Sequence, residues 1–494
     1  MQRTLFFPAV LARALSILAP VLVCVGGSDA RAASGPAPEV VAAQLRDAAM
    51  AGHDIAYSWV SELTTHFGPR PAGSASEQQA AAWAAARLKA LGFENVHIES
   101  FPITAWVRGT ESAQLIAPST QPLVIAALGG SPPTPAAGLE GEVVIFPTLR
   151  ELKAAARGSL NGKIAMVAQR TVRAQDGAGY TAAVPGRTDG PTEAAQRGAI
   201  AYLLRSIGTD NHRQAHTGTA RYVDGRVAVP AFALSAPDAD QIERIAALGQ
   251  TVRVRLFSGA SYVRDAHSQN VIAEVRGRER PQEVVLLGAH LDSWDQGTGA
   301  IDDGTGTAIV TAAAKLIRDL PHRPRRTVRV VLFGSEEVAQ PTPPGHTFGG
   351  HSYAVNHQAE LANHVLAGES DFGTDRVYSF ALPRSVAESE FAKTLLRVIT
   401  PIGVLASDRA AEDVGADVTP TVEAGVPGFA LSQDGTTYFD IHHTPDDTLD
   451  KVDRAQLDQN VAAWAALAWL AADSDIDFRP RPASGGAAAT PAKP

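Results

Sequence analysis

Residues 284–306 read VVLLGAHLDSWDQGTGAIDDGTG, and this stretch decides the fold. VVLLGA is a continuous apolar run, the pattern of a strand covered on both faces. It leads straight into His290-Leu291-Asp292-Ser293. A second such run, TVRVVLF (327–333), leads straight into Gly334-Ser335-Glu336-Glu337. In open α/β sheets ligands gather beyond the carboxyl ends of the strands. Two strands therefore deliver a His, an Asp and a Glu pair to one edge. Between them Asp302-Asp303-Gly304 precedes a helical segment, Thr307–Leu320. Neighbouring carboxylates at a helix start are favoured by the dipole alone. In a second reading, one of them bridges two divalent cations with one oxygen on each.

Outward from this centre the texture stays α/β. VIAEV (271–275) is another buried strand, and Ala455–Ala472 reads as a helix. Upstream, Ser74-Ala75-Ser76-Glu77 has the S-x-x-E spacing of a capping box. An Ala-rich helix follows to Leu91, with Gly92 as its stop. Val96, Ile98 and Ser100 then alternate as in a half-buried strand. From about 110 to 257 the pattern changes to short apolar runs punctuated by Gly and Pro: LVIAAL (123–128), EVVIF (142–146), KIAMVA (163–168), AIAYLL (199–204) and TVRVRLF (251–257). No acidic and His cluster stands out there. The expected organisation is a discontinuous domain, 33–109 and 258–475, carrying a β-rich insert at 110–257. Residues 476–494 form a low-complexity tail, expected to be disordered.

The chain has 494 residues, 45% hydrophobic and 19% charged, which excludes disorder as its main state. A net charge of -9 argues against a nucleic-acid partner. Arg3 and Arg13 border the apolar stretch Ala14–Val25, and Ala30-Arg31-Ala32 follows as a small-residue cleavage signature. This predicts an export signal over 1–32 and a secreted or periplasmic protein with no membrane span after cleavage. The signal takes away three Arg, one Asp and the sole Cys, moving the balance to -11. A cysteine-free mature chain suits an oxidising compartment.

Two further acceptors lie downstream, Asp371 in ESDFG (369–373) and His443 in IHHTPDDT (441–448). Each alone has a plain reading, as a turn Asp and as one of an adjacent His pair. Together with His290, a DDG Asp and a Glu of the pair, they supply nitrogen and oxygen donors and no sulfur, a set that suits a zinc pair. One Glu of the pair would bind metal. The other would stay free to take a proton from water and return it. Asp292, two residues from His290, can accept the second imidazole N–H and fix the tautomer.

The runs 288–306, 333–338 (FGSEEV), 369–371 and 442–448, with GADVTPTVEAGVPG (415–428), resemble the co-catalytic zinc aminopeptidases, and within them the plasma glutamate carboxypeptidase branch. The resemblance implies a three-layer zinc-exopeptidase α/β sheet flanked by helices, with an inserted β-rich protease-associated domain. It implies two Zn²⁺ ions per chain: His290 and Asp371 on one, Glu337 and His443 on the other, and Asp302 between them. Glu336 would be the general base, with Asp292 orienting His290. His442 and Tyr438, beside His443, would contact substrate. The expected substrates are dipeptides or short peptides with a free amino terminus, and the chain would pair as a homodimer. The segment 338–353 departs from the family pattern and would form a loop at the pocket rim, where His346 and His351 would sit. The rival readings are a single-zinc glutaminyl cyclase-like enzyme, a non-catalytic binding relative of the same fold, and a calcium-binding structural protein. Two His in register with the motifs argue against calcium, which prefers oxygen ligands.

Overall fold

Strand Arg280–His290 lies within a five-stranded mixed sheet of order Glu94–Val107, Ser261–Val275, Arg326–Phe333, Arg280–His290, His364–Glu369. The computed structural model describes residues 36–52, 54–221, 223, 227–338, 340, 349–411 and 414–479. The expected export signal, His346 and the tail from 480 lie outside them.

Strand Arg280–His290 pairs parallel with Arg326–Phe333, where His290 faces Phe333, and with His364–Glu369, where Gly288 faces Glu369. The segments after His290, Phe333 and Glu369 therefore leave the same edge. The third of these strands is an addition to the sequence reading, which saw only two deliver residues there. Parallel neighbours need a crossover, and helix Thr305–Arg318 supplies it between the first two strands.

The apolar continuity of VVLLGA follows from the layers. Val285 and Leu287 enter one core, with helices Thr305–Arg318 and Arg454–Ala472. Val284 and Leu286 enter another, with Tyr353 and Val418. Side chains alternate across a strand, so VVLLGA, with a core on each side, is apolar throughout; on the neighbouring strand Arg329 is buried only with Glu274, Tyr353 and Glu360 to pair it.

The capping box forms as read: Ser74 Oγ accepts the Glu77 N–H at 3.1 Å. The Glu77 carboxylate reaches back one residue further than the motif requires, to the Gly73 N–H at 2.6 Å, and also accepts from Ser268. Gly92, at φ +86°, ends the helix beneath the Arg318 guanidinium. The strand that follows corrects one expectation. Ile98 is 42% exposed, and the buried positions of Glu94–Val107 begin only at Phe101.

Glu94–Val107 and Ser261–Val275 pair antiparallel from Glu94↔Glu274 to Val107↔Ser261, and the insert hangs from their ends. Its eight-stranded sheet is β-rich as expected, but LVIAAL breaks at Val124 into two strands. Four of the eight, Leu139–Phe146, Ile164–Val167, Ala201–Arg205 and Ala231–Leu234, are successive parallel neighbours, and helices Ala178–Thr188 and Gly190–Gln196 lie between the second and third in sequence. Tyr180, Leu204 and Ile207 of the insert share a hydrophobic cluster with Tyr438 and Phe439, so the insert is bonded into the larger domain's core. Phe478 is fully buried beside Phe391, which carries the packed chain past the expected limit at 475. No helix of the described residues is long and apolar enough to cross a membrane.

Candidate metal centre

The three segments at the sheet edge meet a loop that follows Tyr438. Asp302 lies between two pairs of groups. Its Oδ1 is 3.2 Å from His290 Nε2, which is 3.1 Å from Asp371 Oδ1. Its Oδ2 is 3.3 Å from His443 Nε2, which is 3.0 Å from Glu337 Oε2. The five side chains singled out in the sequence thus converge, with one oxygen of Asp302 turned to each pair. Two groups of donor atoms, one on His290, Asp302 and Glu337 and one on His290, Asp303 and Asp371, each lie within 4.8 Å of one another.

The question left open at Asp302-Asp303 is divided between the two residues. Asp303 accepts the N–H of Gly306 and of His290, each at 3.0 Å, and so caps the helix and fixes the strand end. Asp302 faces the cluster. Asp292 differs in atomic detail from the expectation. The His290 Nδ1–H is taken by the backbone carbonyl of Asp292 at 2.9 Å, and its carboxylate stands 3.7 Å from that nitrogen. The carboxylate instead accepts the N–H groups of Glu336 and Glu337, at 3.1 and 3.3 Å. It therefore ties the first strand's loop to the second's.

Two groups beneath the cluster escaped the sequence reading. Asp447 accepts the N–H of Ile301 at 2.6 Å and of Asp302 at 3.2 Å. Arg70, fully buried, donates to the carbonyls of Leu291, Gly68, Thr298 and Gly299 at 2.7–2.9 Å. Nothing in a lone Gly-Pro-Arg marks it as the cation under a carboxylate cluster. The insert also reaches the centre. Thr217 N–H donates to the His443 carbonyl at 3.0 Å, and its own carbonyl faces His443 Nδ1 at 3.4 Å. His216 Nε2 lies 3.1 Å from His442 Nδ1, and His442 Nε2 lies 3.3 Å from Asp302 Oδ2. Both ring nitrogens of His442 therefore face protein atoms. Tyr438 is buried between Phe372 and His442.

The electrostatics ask for cations. Burial pushes Glu336 and Glu337 well above the ordinary carboxyl range, with neighbouring carboxylates adding to it. Burial likewise raises Asp447 to about 7 and Asp417 to about 8. Burial opposes ionisation of Asp302 too, but the imidazoles of His442, His290 and His443 outweigh it and hold Asp302 well below the aspartate range. Burial lowers His442 and His443, whereas at His290 the carboxylates of Asp371 and Asp302 outweigh burial and raise it. Asp302 Oδ2 and Glu337 Oε1 are buried with no hydrogen bond. They open on a cavity of about 10 Å³ lined also by Trp294, His443 and Asp447, room for one atom-sized guest. Unsatisfied carboxylate oxygens beside imidazole nitrogens, and such a cavity, fit a metal ion.

The sequence profile of peptidase family M28 matches residues 270–468. Carboxypeptidase Q of Bos taurus is 35% identical over 418 residues, covering 84% of this chain and 85% of its own. Carboxypeptidase Q of Homo sapiens is 33% identical over 419 residues, covering 85% of each chain. Among solved structures, the peptidase M28 precursor from Shewanella amazonensis superposes with a TM-score of 0.86 at 46% identity, covering 90% of this chain and 99% of its own.

Proposed function

The chain belongs to peptidase family M28, and we propose that it is an exported di-zinc exopeptidase of the carboxypeptidase Q-like branch, hydrolysing N-terminal peptide bonds of dipeptides and short peptides. One observation carries the reading: the two oxygens of Asp302 face two separate donor pairs. In this assignment His290 and Asp371 would hold one zinc, Glu337 and His443 the other, with Asp302 shared between them. Zinc, when bound, supplies Lewis acidity for the scissile carbonyl and acidifies water. Glu336 takes the proton of the attacking water and gives it to the leaving amine. Asp292, holding the N–H groups of Glu336 and Glu337, keeps base and ligand in register. The 110–257 insert, read as a protease-associated domain, walls the pocket and limits substrate length. The signal read over 1–32 places the reaction outside the cytoplasm.

The test joins metal analysis to a screen of free and N-blocked dipeptides. Two zinc ions per chain and cleavage of free-amine substrates alone are expected. One ion, or indifference to blocking, refutes the reading and favours a cyclase-like enzyme. Glu336→Gln should keep both ions and lose about 10²–10⁴-fold in turnover. Near-normal turnover in the zinc-loaded variant removes Glu336 from its role.

A further inference from the structure

The insert's parallel strands deliver residues to one edge, as the host's do. Ile164–Val167 and Ala201–Arg205 are parallel neighbours, so the segments that follow them leave the same side. The first segment carries Arg173 and Gln175, the second Thr209, Gln214 and Thr217. All of them meet the host segment 434–443, whose last residue is His443. The host holds the start of that segment. Asp434 N–H donates to the Arg376 carbonyl at 3.0 Å, and the Thr437 hydroxyl donates to the Asp375 carboxylate at 2.5 Å. Gln175 joins in there, donating to Asp434 Oδ2 and accepting the Gly435 N–H, each at 2.8 Å. From Phe439 onward the grip passes to the insert. Thr209 N–H donates to the Phe439 carbonyl at 3.0 Å, the Gln214 amide to the Asp440 carbonyl at 3.3 Å, and Thr217 N–H to the His443 carbonyl at 3.0 Å.

Asp440 is the centre of this grip. Arg173 meets both of its oxygens, Nη1 to Oδ2 at 2.9 Å and Nη2 to Oδ1 at 2.7 Å, and the Thr209 hydroxyl donates to Oδ1 at 2.7 Å. Among the described residues, every hydrogen bond to this carboxylate comes from the insert. The same guanidinium donates to the Thr436 carbonyl and, at 3.2 Å, to the Thr209 carbonyl, so it is itself held from both sides. A bidentate pair fixes orientation as well as distance. Arg173 and Asp440 are 39% and 25% exposed, so ionising them costs little desolvation. An isolated exposed pair contributes little. This one closes a network between insert and host, and Tyr180 of the insert stacks on the next residue back, Phe439, at 4.0 Å.

We propose that Asp440 is a positioning residue for His443: latched by Arg173 and Thr209, it fixes the turn Tyr438–Asp440 that leads into the candidate donor, so that the insert sets how firmly the Glu337–His443 position holds its metal and leaves the His290–Asp371 position alone. The inference rests on the assignment of those donors to two ions. Its physical content is that a metal donor on a loop is only as well placed as the loop, and this loop is anchored next to the donor by the insert.

The experiment uses the full zinc-loaded chain. Zinc release is followed during titration with a competing chelator, and urea unfolding of the metal-free forms is measured alongside. Two ions should leave the wild type. In Asp440→Ala one ion should leave at roughly 5–30-fold lower chelator strength, with the second ion and the metal-free unfolding midpoint close to wild type. Arg173→Met should show the same selective loss, and adding it to Asp440→Ala should change nothing further, because the two remove one interaction. Arg173→Lys, which keeps the charge and loses the fork, should fall between Met and wild type. The gap between wild type and Arg173→Met should narrow as salt is raised from about 0.05 M to about 1 M, since a partly exposed pair is screened. The proposal is overturned if Asp440→Ala releases both ions as the wild type does, or if both ions weaken together in step with lower metal-free stability. It is equally overturned if the two single losses add in full, or if the gap ignores salt. A wild type holding fewer than two ions overturns the donor assignment itself, a result distinct from these.

Discussion

Replacing Arg70 by Met tests whether the catalytic loops are held from below by a buried cation. The guanidinium makes four hydrogen bonds to carbonyls, at 2.8 Å to Leu291, 2.8 Å to Gly68, 2.7 Å to Thr298 and 2.9 Å to Gly299. Hydrogen bonds from a charged donor contribute about 1.5–3 kcal/mol each, so about 6–12 kcal/mol bounds the gross effect. Against this stands the cost of burying the charge. Burial lowers the Arg70 pKa from 12.5 to about 10 despite Asp447, Asp292, Asp303 and Asp302 nearby. At 1.36 kcal/mol per pKa unit, that fall corresponds to about 3 kcal/mol. Met also refills much of the volume. The expected loss is therefore about 3–5 kcal/mol, the range for removing one side of a buried charge system. Urea unfolding of the metal-free protein, followed by Trp fluorescence, measures it. Arg70→Lys keeps the charge but offers three N–H groups in place of a planar fork, so it should fall between wild type and Met. A loss below about 1 kcal/mol for Arg70→Met refutes the reasoning.

Two further predictions address other parts of the molecule. A Cβ on Gly129 would stand 2.3 Å from the Trp294 indole, whose ring lies 5.5 Å from that of His443. Gly129→Ala should cost about 1–3 kcal/mol by overpacking and lower turnover, and an unchanged stability with unchanged turnover would show that the indole is free to yield. His357 lies between Glu99, 3.0 Å from Nε2, and Glu360; burial opposes its protonation, but those hydrogen bonds outweigh it and raise its pKa. With the folded pKa above the unfolded 6.5, its stabilisation is full below about pH 6.5 and fades as pH rises through the folded value. The stability gap between wild type and His357→Asn should narrow from pH 6 to pH 9, and a constant gap would rule the linkage out.

The peptidase sheet was legible because its strands carry their own signature. A strand with a core on each face is mostly apolar, so VVLLGA, and TVRVVLF despite its Thr327 and Arg329, announce themselves and point at His290 and the Glu pair. HVLAGE, the strand that delivers Asp371, carries a His and a Gly and ends in Glu369, and its pattern is too weak to read alone. Ile98 misled for the opposite reason, since alternation marks a strand without saying which face meets the core. The five candidate donors that converge were legible as residue types in an ordered set. The groups that hold them, Arg70, Asp447 and Thr217, were not. Apart from Arg70 to the Gly68 carbonyl, each acts through backbone groups or a ring more than a hundred residues away, and such pairings leave no local spacing in the sequence.

Val107 and Ser261 face one another across a register that binds the two legs of the insert. The entropy of closing a loop grows only logarithmically, by about 0.6 kcal/mol for each doubling of its length. The host sheet is therefore nearly indifferent to how much chain is grafted between two residues already held side by side. The graft is a different matter for the chemistry. Once the insert grips His443 through both backbone atoms of Thr217, a graft that costs the sheet little entropy becomes hard to remove, because excising it would strip part of a shared core and leave a candidate metal donor unmoored.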